Sequence, residues 1–314
     1  MEATIGIDIG GTKCLGVVAD RQGMVQAEYR VATPRTGDDL VSAIVGVIAE
    51  LRARVPGPHP PVGVGAPGLV DEQGVLRFAP NLPSVLELPI AARLRGSLPS
   101  GTAVTVGNDA SCAAWAEHTC GAAAGVGHVL LATIGTGIGG GIVSGGRLQV
   151  GRHGFAGEIG HVVVDPRGPR CPCGQQGCWE RYASGSGLGW MGREAAQAGQ
   201  ADQVVALAGG DPEAVRGEHV TTAAAAGDRQ AAAVMARFAW WLALGLANLA
   251  NVLDPELIVL GGGMVEAGSV LLDPAREAFA ALLEGAAHRP AIDIVAAGLG
   301  ERAGAIGAAL VAGG

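Results

Sequence analysis

Apolar segments along the chain predict two halves that begin in the same way. Residues 3–9 are rich in isoleucine and predict a buried strand, and strands over 14–19 and 25–33 would complete a β-meander. In the second half, residues 128–134 predict a strand that passes through a glycine-rich turn into a returning strand at 140–144. The repeated order of strand, Gly/Thr turn and strand predicts two related lobes.

Helical periodicity fills the segments between these strands. Apolar residues at helical spacing predict a helix over 40–51 with Asp38 as its N-cap. Residues 69–78 predict a hairpin, and a strand at 103–106 leads into a helix over 110–119. Strands alternating with helices indicate an α/β fold.

One long helix is predicted from its N-cap Asp228 to Leu253. Its most apolar part, 238–253, contains Asn248 and Asn251 and is shorter than the roughly 20 residues of a membrane-spanning helix. We therefore interpret it as a core helix and expect no contact with a membrane.

Length and charge narrow the function classes. The chain has 314 residues, which suits two lobes of ordinary size, and its formal net charge is -8. With an acidic balance and no basic run, nucleic acid is not expected as a partner. Glu2 follows Met1 and the first strand begins at once, so nothing resembles a signal peptide, and we expect a cytoplasmic protein with reduced thiols.

The most specific motif is a cluster of cysteines that follows a histidine. The sequence G-E-I-G-H at 157–161 precedes C-P-C-G-Q-Q-G-C-W-E at 171–180. Three thiolates and one imidazole form the ligand set of a closed, tetrahedral structural zinc. The predicted ligands are His161, Cys171, Cys173 and Cys178. The alternative, three unrelated buried thiols, does not account for this spacing.

Two glycine-rich turns are candidates for binding phosphate. D-I-G-G-T-K at 8–13 and G-T-G-I-G-G-G at 135–141 each follow a predicted strand, and their backbone N–H groups could approach phosphate oxygens. The candidate residues are Gly10, Gly11, Thr12, Lys13, Gly135, Thr136 and Gly137, with Asp8 as a candidate magnesium ligand. Lys13 is the only lysine in the chain. The alternative for either turn is plain hairpin geometry or close strand packing.

Two further motifs stand at predicted strand ends. Asn108-Asp109 lies where a strand meets a helix, so Asp109 could act as a general base for a substrate hydroxyl. Its alternative role is an N-cap, which suits both residues and does not exclude catalysis. Gly261, Gly262 and Gly263 follow a buried strand and could approach a purine, or could simply begin a helix.

Polar side chains around the cysteine cluster suit a polyol ligand. Asn81, Glu158, His161 and Glu180 can donate to or accept from neighbouring hydroxyls. For the two glutamates, the alternative interpretation is solvation at the surface.

Taken together, these motifs resemble the ROK family of bacterial sugar kinases and sugar-responsive repressors, and most of all its glucokinases. The resemblance covers essentially the whole chain. It implies an α/β, actin-like and hexokinase-like (ribonuclease H-like) fold with two lobes, an interlobe cleft and a structural zinc site. The implied small lobe is 1–118, with the helix 301–314 packing back on it, and the larger lobe with the zinc is 119–300. A homo-oligomer, dimer or tetramer, is also expected.

The resemblance further implies ATP-dependent phosphorylation of glucose to glucose 6-phosphate. Asp109 would take the proton from the sugar 6-hydroxyl. Sugar hydroxyls would be bound by Asn81, Asn108, Asp109, Glu158, His161 and Glu180. The nucleotide and Mg²⁺ would be bound by Asp8, Gly10, Gly11, Thr12, Lys13, Gly135, Thr136, Gly137, Gly261, Gly262 and Gly263. The zinc ligands would be the four residues named above.

Several alternatives stay open at this stage. The substrate could be N-acetylmannosamine, fructose or allose, and polyphosphate could replace ATP. A non-catalytic sugar-sensing regulator would carry an added N-terminal DNA-binding module, whereas the first predicted strand here begins at residue 3. The alanine-rich helical region 187–226 has no predicted function.

Overall fold

The computed structural model describes residues 3–54, 60–80, 82 and 84–314, and its contacts define two compact units. Unit 1 consists of residues 1–131, 140–158 and 297–314, and unit 2 of residues 132–139 and 159–296. Asn81, a predicted sugar ligand, lies outside the described residues. The lobe ranges 1–118 and 119–300 stay a prediction.

The strands and helices follow the predicted alternation. The strands are β1 (Thr4–Ile9), β2 (Lys13–Ala19), β3 (Val25–Ala32), β4 (Val62–Ala66), β5 (Leu69–Val70), β6 (Leu76–Phe78), β7 (Val104–Asn108), β8 (Val129–Ile134), β9 (Ile138–Ser144), β10 (Arg147–Leu148), β11 (Leu257–Gly261) and β12 (Asp293–Ala296). The helices are α1 (Gly37–Arg52), α2 (Ile90–Ser97), α3 (Asp109–Cys120), α4 (Glu180–Ala183), α5 (Gly185–Gln197), α6 (Asp202–Leu207), α7 (Gly217–Ala225), α8 (Arg229–Leu253), α9 (Ser269–Leu282) and α10 (Ala303–Gly313).

The two five-stranded sheets have the same order of strands. The first is β3-β2-β1-β4-β7 and the second is β10-β9-β8-β11-β12. In the first sheet β1 pairs antiparallel with β2 and parallel with β4, and β4 pairs parallel with β7. In the second, β9 pairs antiparallel with β10 and β11 parallel with β12. The internal repeat predicted from the sequence is therefore confirmed.

Glycine sets how closely α10 packs in unit 1. A Cβ at Gly6 of β1 would lie 1.9 Å from the carbonyl oxygen of Ala305, and one at Gly63 of β4 would lie 1.8 Å from that of Ala308. On the helix itself, a Cβ at Gly307 would lie 1.7 Å from the carbonyl oxygen of Cys112 in α3. Because no side chain fits at these positions, backbone contacts backbone at each of them.

The helix α8 is the core helix of unit 2. It begins after Asp228, whose side chain accepts a hydrogen bond from Ala231 N at 2.8 Å, so the predicted cap is confirmed. One face is buried, including Phe238 and Leu242, and packs on α9, α7 and α5. Within the described residues, this is the one helix long and apolar enough to span a membrane, and half of its most apolar window is buried inside the protein. The whole helix has 25 residues, which is long enough to span a membrane, so the argument from length was wrong. The interpretation as a core helix depends instead on the burial of its apolar face.

Two local predictions are corrected. The N-cap of α1 is Thr36, whose hydroxyl accepts from Asp39 N at 3.3 Å, while Asp38 lies in the first turn and pairs with Arg93 at 2.7 Å. Threonine and aspartate are both favoured at N-caps, with aspartate ranked higher, so residue type alone pointed to the wrong one of two nearby candidates. The strand β9 begins at Ile138 rather than residue 140, which shortens the second glycine turn.

Substitution of Gly307 by alanine should destabilise the protein, because the added methyl has no room beside Cys112 O. We expect a loss of at least about 2 kcal/mol in the free energy of unfolding of unit 1, measured by thermal or urea denaturation. The matched control is Gly46→Ala on the exposed side of α1, where a Cβ would meet no described atom within 4 Å. That change should stabilise by about 0.5–1 kcal/mol. Equal denaturation midpoints for the two variants would contradict the conclusion that α10 packs too closely for a side chain at 307.

Candidate functional site

The turn between β1 and β2 in unit 1 is fixed at its base and open at its tip. Gly10 N donates to Lys13 O at 2.9 Å, and the Thr33 hydroxyl donates to Gly10 O at 2.7 Å. Thr33 N also donates to Thr12 O at 3.0 Å. Gly11 and Thr12 are exposed, and a Cβ at Gly11 would come within 4 Å of no described atom. Such a turn can present backbone N–H groups to an anion.

The ammonium group of Lys13 lies beside this turn in an ion pair with Glu301. The other carboxylate oxygen of Glu301 accepts from Arg30 at 2.8 Å, and these two cations lower the pKa of Glu301. The side chains of Lys13 and Glu301 are 44% and 50% exposed, so the pair contributes little to stability, about 0–1 kcal/mol. The lysine can therefore exchange Glu301 for a phosphate at small cost.

The sequence left open whether Asn108 and Asp109 cap the helix or act on a substrate, and the structure assigns the cap to Asn108. Asn108 is the N-cap of α3: its Oδ1 accepts from Ser111 N at 2.9 Å and its Nδ2 donates to Gly68 O at 3.2 Å. Asp109 is the first helical residue, and its Oδ1 accepts from Ala110 N at 2.8 Å. Because Asn108 caps the helix, Asp109 is not required for the cap and can act on a substrate.

Burial and neighbouring charge prepare Asp109 for proton transfer. Burial, together with the negative charges of Asp8 and Glu158, raises the pKa of Asp109 to about 7, against the opposing effect of the Ala110 N–H. Burial likewise raises the pKa of Asp8 to about 6, against the lowering effect of Lys13. A carboxylate that titrates near neutral pH has the affinity for protons that a general base needs.

Glycines allow α10 and β4 to approach the two aspartates. A Cβ at Gly304 of α10 would lie 2.7 Å from Asp8 Cγ, and one at Gly65 of β4 would lie 3.2 Å from Asp109 Cα. At Gly304 this close packing excludes water from the Asp8 carboxylate, which is the burial that raises its pKa, whereas Gly65 contacts Asp109 near its Cα.

The predicted zinc ligands lie together in unit 2. The donor atoms of His161, Cys171, Cys173 and Cys178 are all within 4.8 Å of one another. Cys171 Sγ is 3.7 Å from His161 Nδ1, and Cys173 Sγ is 3.6 Å from Cys178 Sγ. A tetrahedral zinc with Zn–S bonds of about 2.3 Å would hold neighbouring donors about 3.6–3.8 Å apart. The four residues therefore fit such an ion, with Nδ1 as the histidine ligand.

Glycines at positive φ bend the backbone of this cluster. Gly174 has φ +97°, and its N–H donates to Cys171 O at 3.0 Å. Gly177 has φ +75°, and a Cβ there would lie 1.6 Å from Asp165 O. Both positions favour glycine.

The second glycine turn, Gly135–Gly137, is held by the segment that follows the cysteines. Gly185 N donates to Gly135 O at 2.8 Å, and the Ser186 hydroxyl donates to Thr136 O at 2.9 Å. Glu180 Oε2 accepts from Ile138 N at 2.9 Å. Glu180 is only partly exposed, so the interpretation of this residue as a solvated surface glutamate was wrong.

A cavity of about 960 Å³ in unit 2 adjoins this turn. It is lined by Gly135 and Thr136, by Gly263 and Met264 after β11, by residues of α5 that include Arg193, and by residues of α7 with its N-cap Arg216. Of the three predicted glycines, Gly261 ends β11 and only Gly263 lines the cavity; Gly262 has φ +83° and packs against the backbone of Ile134.

Residues of the region 187–226, to which the sequence assigned no function, line this cavity. Gly189, Thr221 and Thr222 line it from α5 and α7. The one sequence signal was S-G-S-G at 184–187, a small polar run directly before a helix.

Comparison with known proteins identifies the family to which this chain belongs. The model of the ROK family matches residues 4–314. The chain belongs to the ROK family. This ROK protein is 40% identical over 312 residues to a glucokinase of Streptomyces coelicolor, covering 98% of this chain and 97% of the relative. The family prediction made from the motifs is confirmed.

Two solved structures resemble this ROK protein along its whole length. A ROK family glucokinase from Streptomyces griseus in complex with glucose and AMPPNP has a TM-score of 0.87 and 40% identity, with 99% of each chain covered. A ROK hexokinase from Thermus thermophilus has a TM-score of 0.82 and 35% identity, covering 99% of this chain and 97% of the other. The α/β, actin-like and hexokinase-like two-lobed fold is thereby confirmed.

Replacing Asp109 by asparagine should stabilise the protein at alkaline pH. The folded-state pKa of about 7 lies above the ordinary value of 3.8, so the folded protein binds the proton more tightly than the unfolded chain does. The wild type therefore loses stability as the pH rises from about 4 to about 7, and it gains none back above that range. The uncharged amide of the variant would carry no such penalty, so the melting temperature of Asp109→Asn should exceed that of the wild type at pH 8 and by less at pH 5.

Thermal melts of both proteins at the two pH values check this expectation. Glu50→Gln, on the exposed side of α1, is the control and should match the wild type at both. A variant that melts below the wild type at pH 8 would show that the Asp109 carboxylate is not penalised by burial.

Proposed function

We propose that this ROK protein transfers the γ-phosphoryl group of ATP to glucose, giving glucose 6-phosphate and ADP. The observation that carries the proposal is Asp109, a base at the start of α3 with a pKa raised to about 7. Identity of 40% over nearly the full chain with a glucokinase supports the choice of substrate. The glucose and AMPPNP in the Streptomyces griseus structure support the choice of phosphoryl donor.

Asp109 would act on the sugar 6-hydroxyl. As this oxygen bonds to the γ-phosphorus, its proton passes to the Asp109 carboxylate, and the bond from the γ-phosphorus to the β,γ-bridging oxygen breaks to release ADP. Phosphoryl transfer depends mainly on positioning and on neutralising charge. The peptide N–H groups of the two turns and the Lys13 ammonium would supply part of that neutralisation.

For the nucleotide, we assign the cavity of unit 2 to the adenosine and the Gly135–Gly137 and Gly10–Lys13 turns to the phosphates. Asp8 would hold Mg²⁺, directly or through water, because a hard cation prefers carboxylate oxygen and would favour the ionised form of a buried carboxyl. When bound, Mg²⁺ would neutralise charge on the phosphate oxygens.

For the sugar, we assign Asn81, Asn108, Glu158, His161 and Glu180 as ligands of the hydroxyls, alongside Asp109. His161 would bind zinc through Nδ1, the nitrogen nearest Cys171 Sγ, and the sugar through Nε2. The zinc would be structural, with Cys171, Cys173 and Cys178 completing four ligands. We place the activity in the cytoplasm, where ATP is available and thiols stay reduced. A dimer or tetramer that binds neither nucleic acid nor membrane stays a prediction.

A coupled assay of sugar phosphorylation tests the proposal. With ATP, we expect glucose to give the highest kcat/KM among glucose, N-acetylmannosamine, fructose and allose, and polyphosphate to be a poor donor because no basic run marks the sequence. Asp109→Asn should lower kcat at least about 100-fold while glucose still binds. No turnover of any sugar by the wild type would refute the kinase assignment and favour a sugar-sensing regulator. Near-normal turnover in Asp109→Asn would refute the base.

Metal analysis tests the zinc site separately. We expect about one zinc per purified chain, and a lower melting temperature after a chelator removes it, because the metal supplies folding free energy to the 161–178 segment. Cys173→Ser should lower the zinc content, whereas Cys14→Ser, a buried cysteine of unit 1 outside the cluster, should leave it unchanged. Full zinc content in Cys173→Ser would remove that residue from the ligand set.

A further inference from the structure

The segment after the last predicted zinc ligand makes the contacts that shape the Gly135–Gly137 turn. Glu180 stands two residues after Cys178 and bonds Ile138 N at 2.9 Å. Gly185 and Ser186, a few residues further on, bond the carbonyl oxygens of Gly135 and Thr136. One short stretch of chain therefore connects the predicted zinc ligands to the Gly135–Gly137 turn, which is called the nucleotide turn below.

Glu180 also decides which glycine of this turn has no room for a side chain. A Cβ at Gly137 would lie 2.2 Å from Glu180 Oε2 and 3.0 Å from its Cδ. A Cβ at Gly135 would meet nothing within 4 Å in the described part of the chain. A side chain at 137 would therefore displace the carboxylate of Glu180, while one at 135 would meet no such neighbour in the described part of the chain.

We propose that Glu180 is a positioning residue for the nucleotide turn and links the sugar site to the phosphate site. This inference rests on the proposed function, in which Glu180 also binds a sugar hydroxyl. By accepting from Ile138 N, one carboxylate oxygen holds the peptide after Gly137 in place, and with it the amides that face phosphate. The affinity for nucleotide therefore depends on Glu180 even when no sugar is bound.

The charge of Glu180 separates this role from direct binding of the nucleotide. A carboxylate close to phosphate oxygens repels them, so Glu180 cannot strengthen phosphate binding through its charge. Its contribution is the hydrogen bond to Ile138 N, which a neutral carbonyl oxygen can also accept. Glutamine should therefore preserve the positioning, and alanine should abolish it.

Binding of Mg²⁺-AMPPNP without sugar, measured by calorimetry, is the first test. We expect Glu180→Ala to bind on the order of tenfold more weakly than the wild type, and Glu180→Gln to bind as tightly or more tightly. If Glu180→Ala binds Mg²⁺-AMPPNP like the wild type, Glu180 serves the sugar alone and the inference is wrong. Thermal melts show whether each variant is folded.

Binding of glucose without nucleotide is the second test and leaves Glu180 itself unchanged. Gly137→Ala, which displaces the carboxylate, should weaken glucose binding on the order of tenfold, although residue 137 belongs to the nucleotide turn. Gly46→Ala, a control outside the residues assigned to sugar and nucleotide where a Cβ also meets no described atom within 4 Å, should bind glucose with wild-type affinity. Equal glucose affinity in the two variants would overturn the link.

The two failures are distinguishable. A wild-type protein that binds neither glucose nor AMPPNP would refute the proposed function itself. A wild type that binds both, with variants that bind like it, would refute only the positioning role of Glu180.

Discussion

The site depends on one packing constraint: a carboxylate can lie against backbone only where the opposing residue has no side chain. Gly304 leaves room for the carboxylate of Asp8 and Gly137 for that of Glu180, while Gly65 leaves room for the backbone of Asp109. The same constraint brings α10 onto β1 and β4. Alanine at these positions would force the groups apart before any chemistry could be considered, so much of the site is specified by residues that have no functional group.

This constraint carries an energetic cost that the function explains. Buried carboxyl groups at Asp8 and Asp109 oppose ionisation, and such burial lowers stability at neutral pH. A protein selected for stability alone would not keep two carboxyl groups at these positions. Retaining acidic groups at a destabilising place is typical of sites that hold a proton acceptor or a cation.

The sequence predicted the repeated strands and the histidine and cysteines that the fold brings together, because periodicity and spacing are local signals. It did not predict what depends on tertiary contact. The ion pair of Lys13 with Glu301 joins residues 288 positions apart, and the partner of Glu180 is a backbone N–H that any residue type would offer. The region 187–226 lines a cavity through arginines and small residues on separate helices, which no local pattern in the sequence connects. The sequence also did not identify Thr36 as the N-cap of α1, because Asp38, another residue type suited to a cap, lies two positions away.

The composition of the first turn has a practical consequence. Lys13 is the only lysine of the chain, and its side chain is 44% exposed. An amine-selective reagent therefore has a single side-chain target, and that target lies at the turn assigned to phosphate. The extent of covalent labelling of Lys13, compared with that of the terminal amino group, would therefore report whether the turn is occupied.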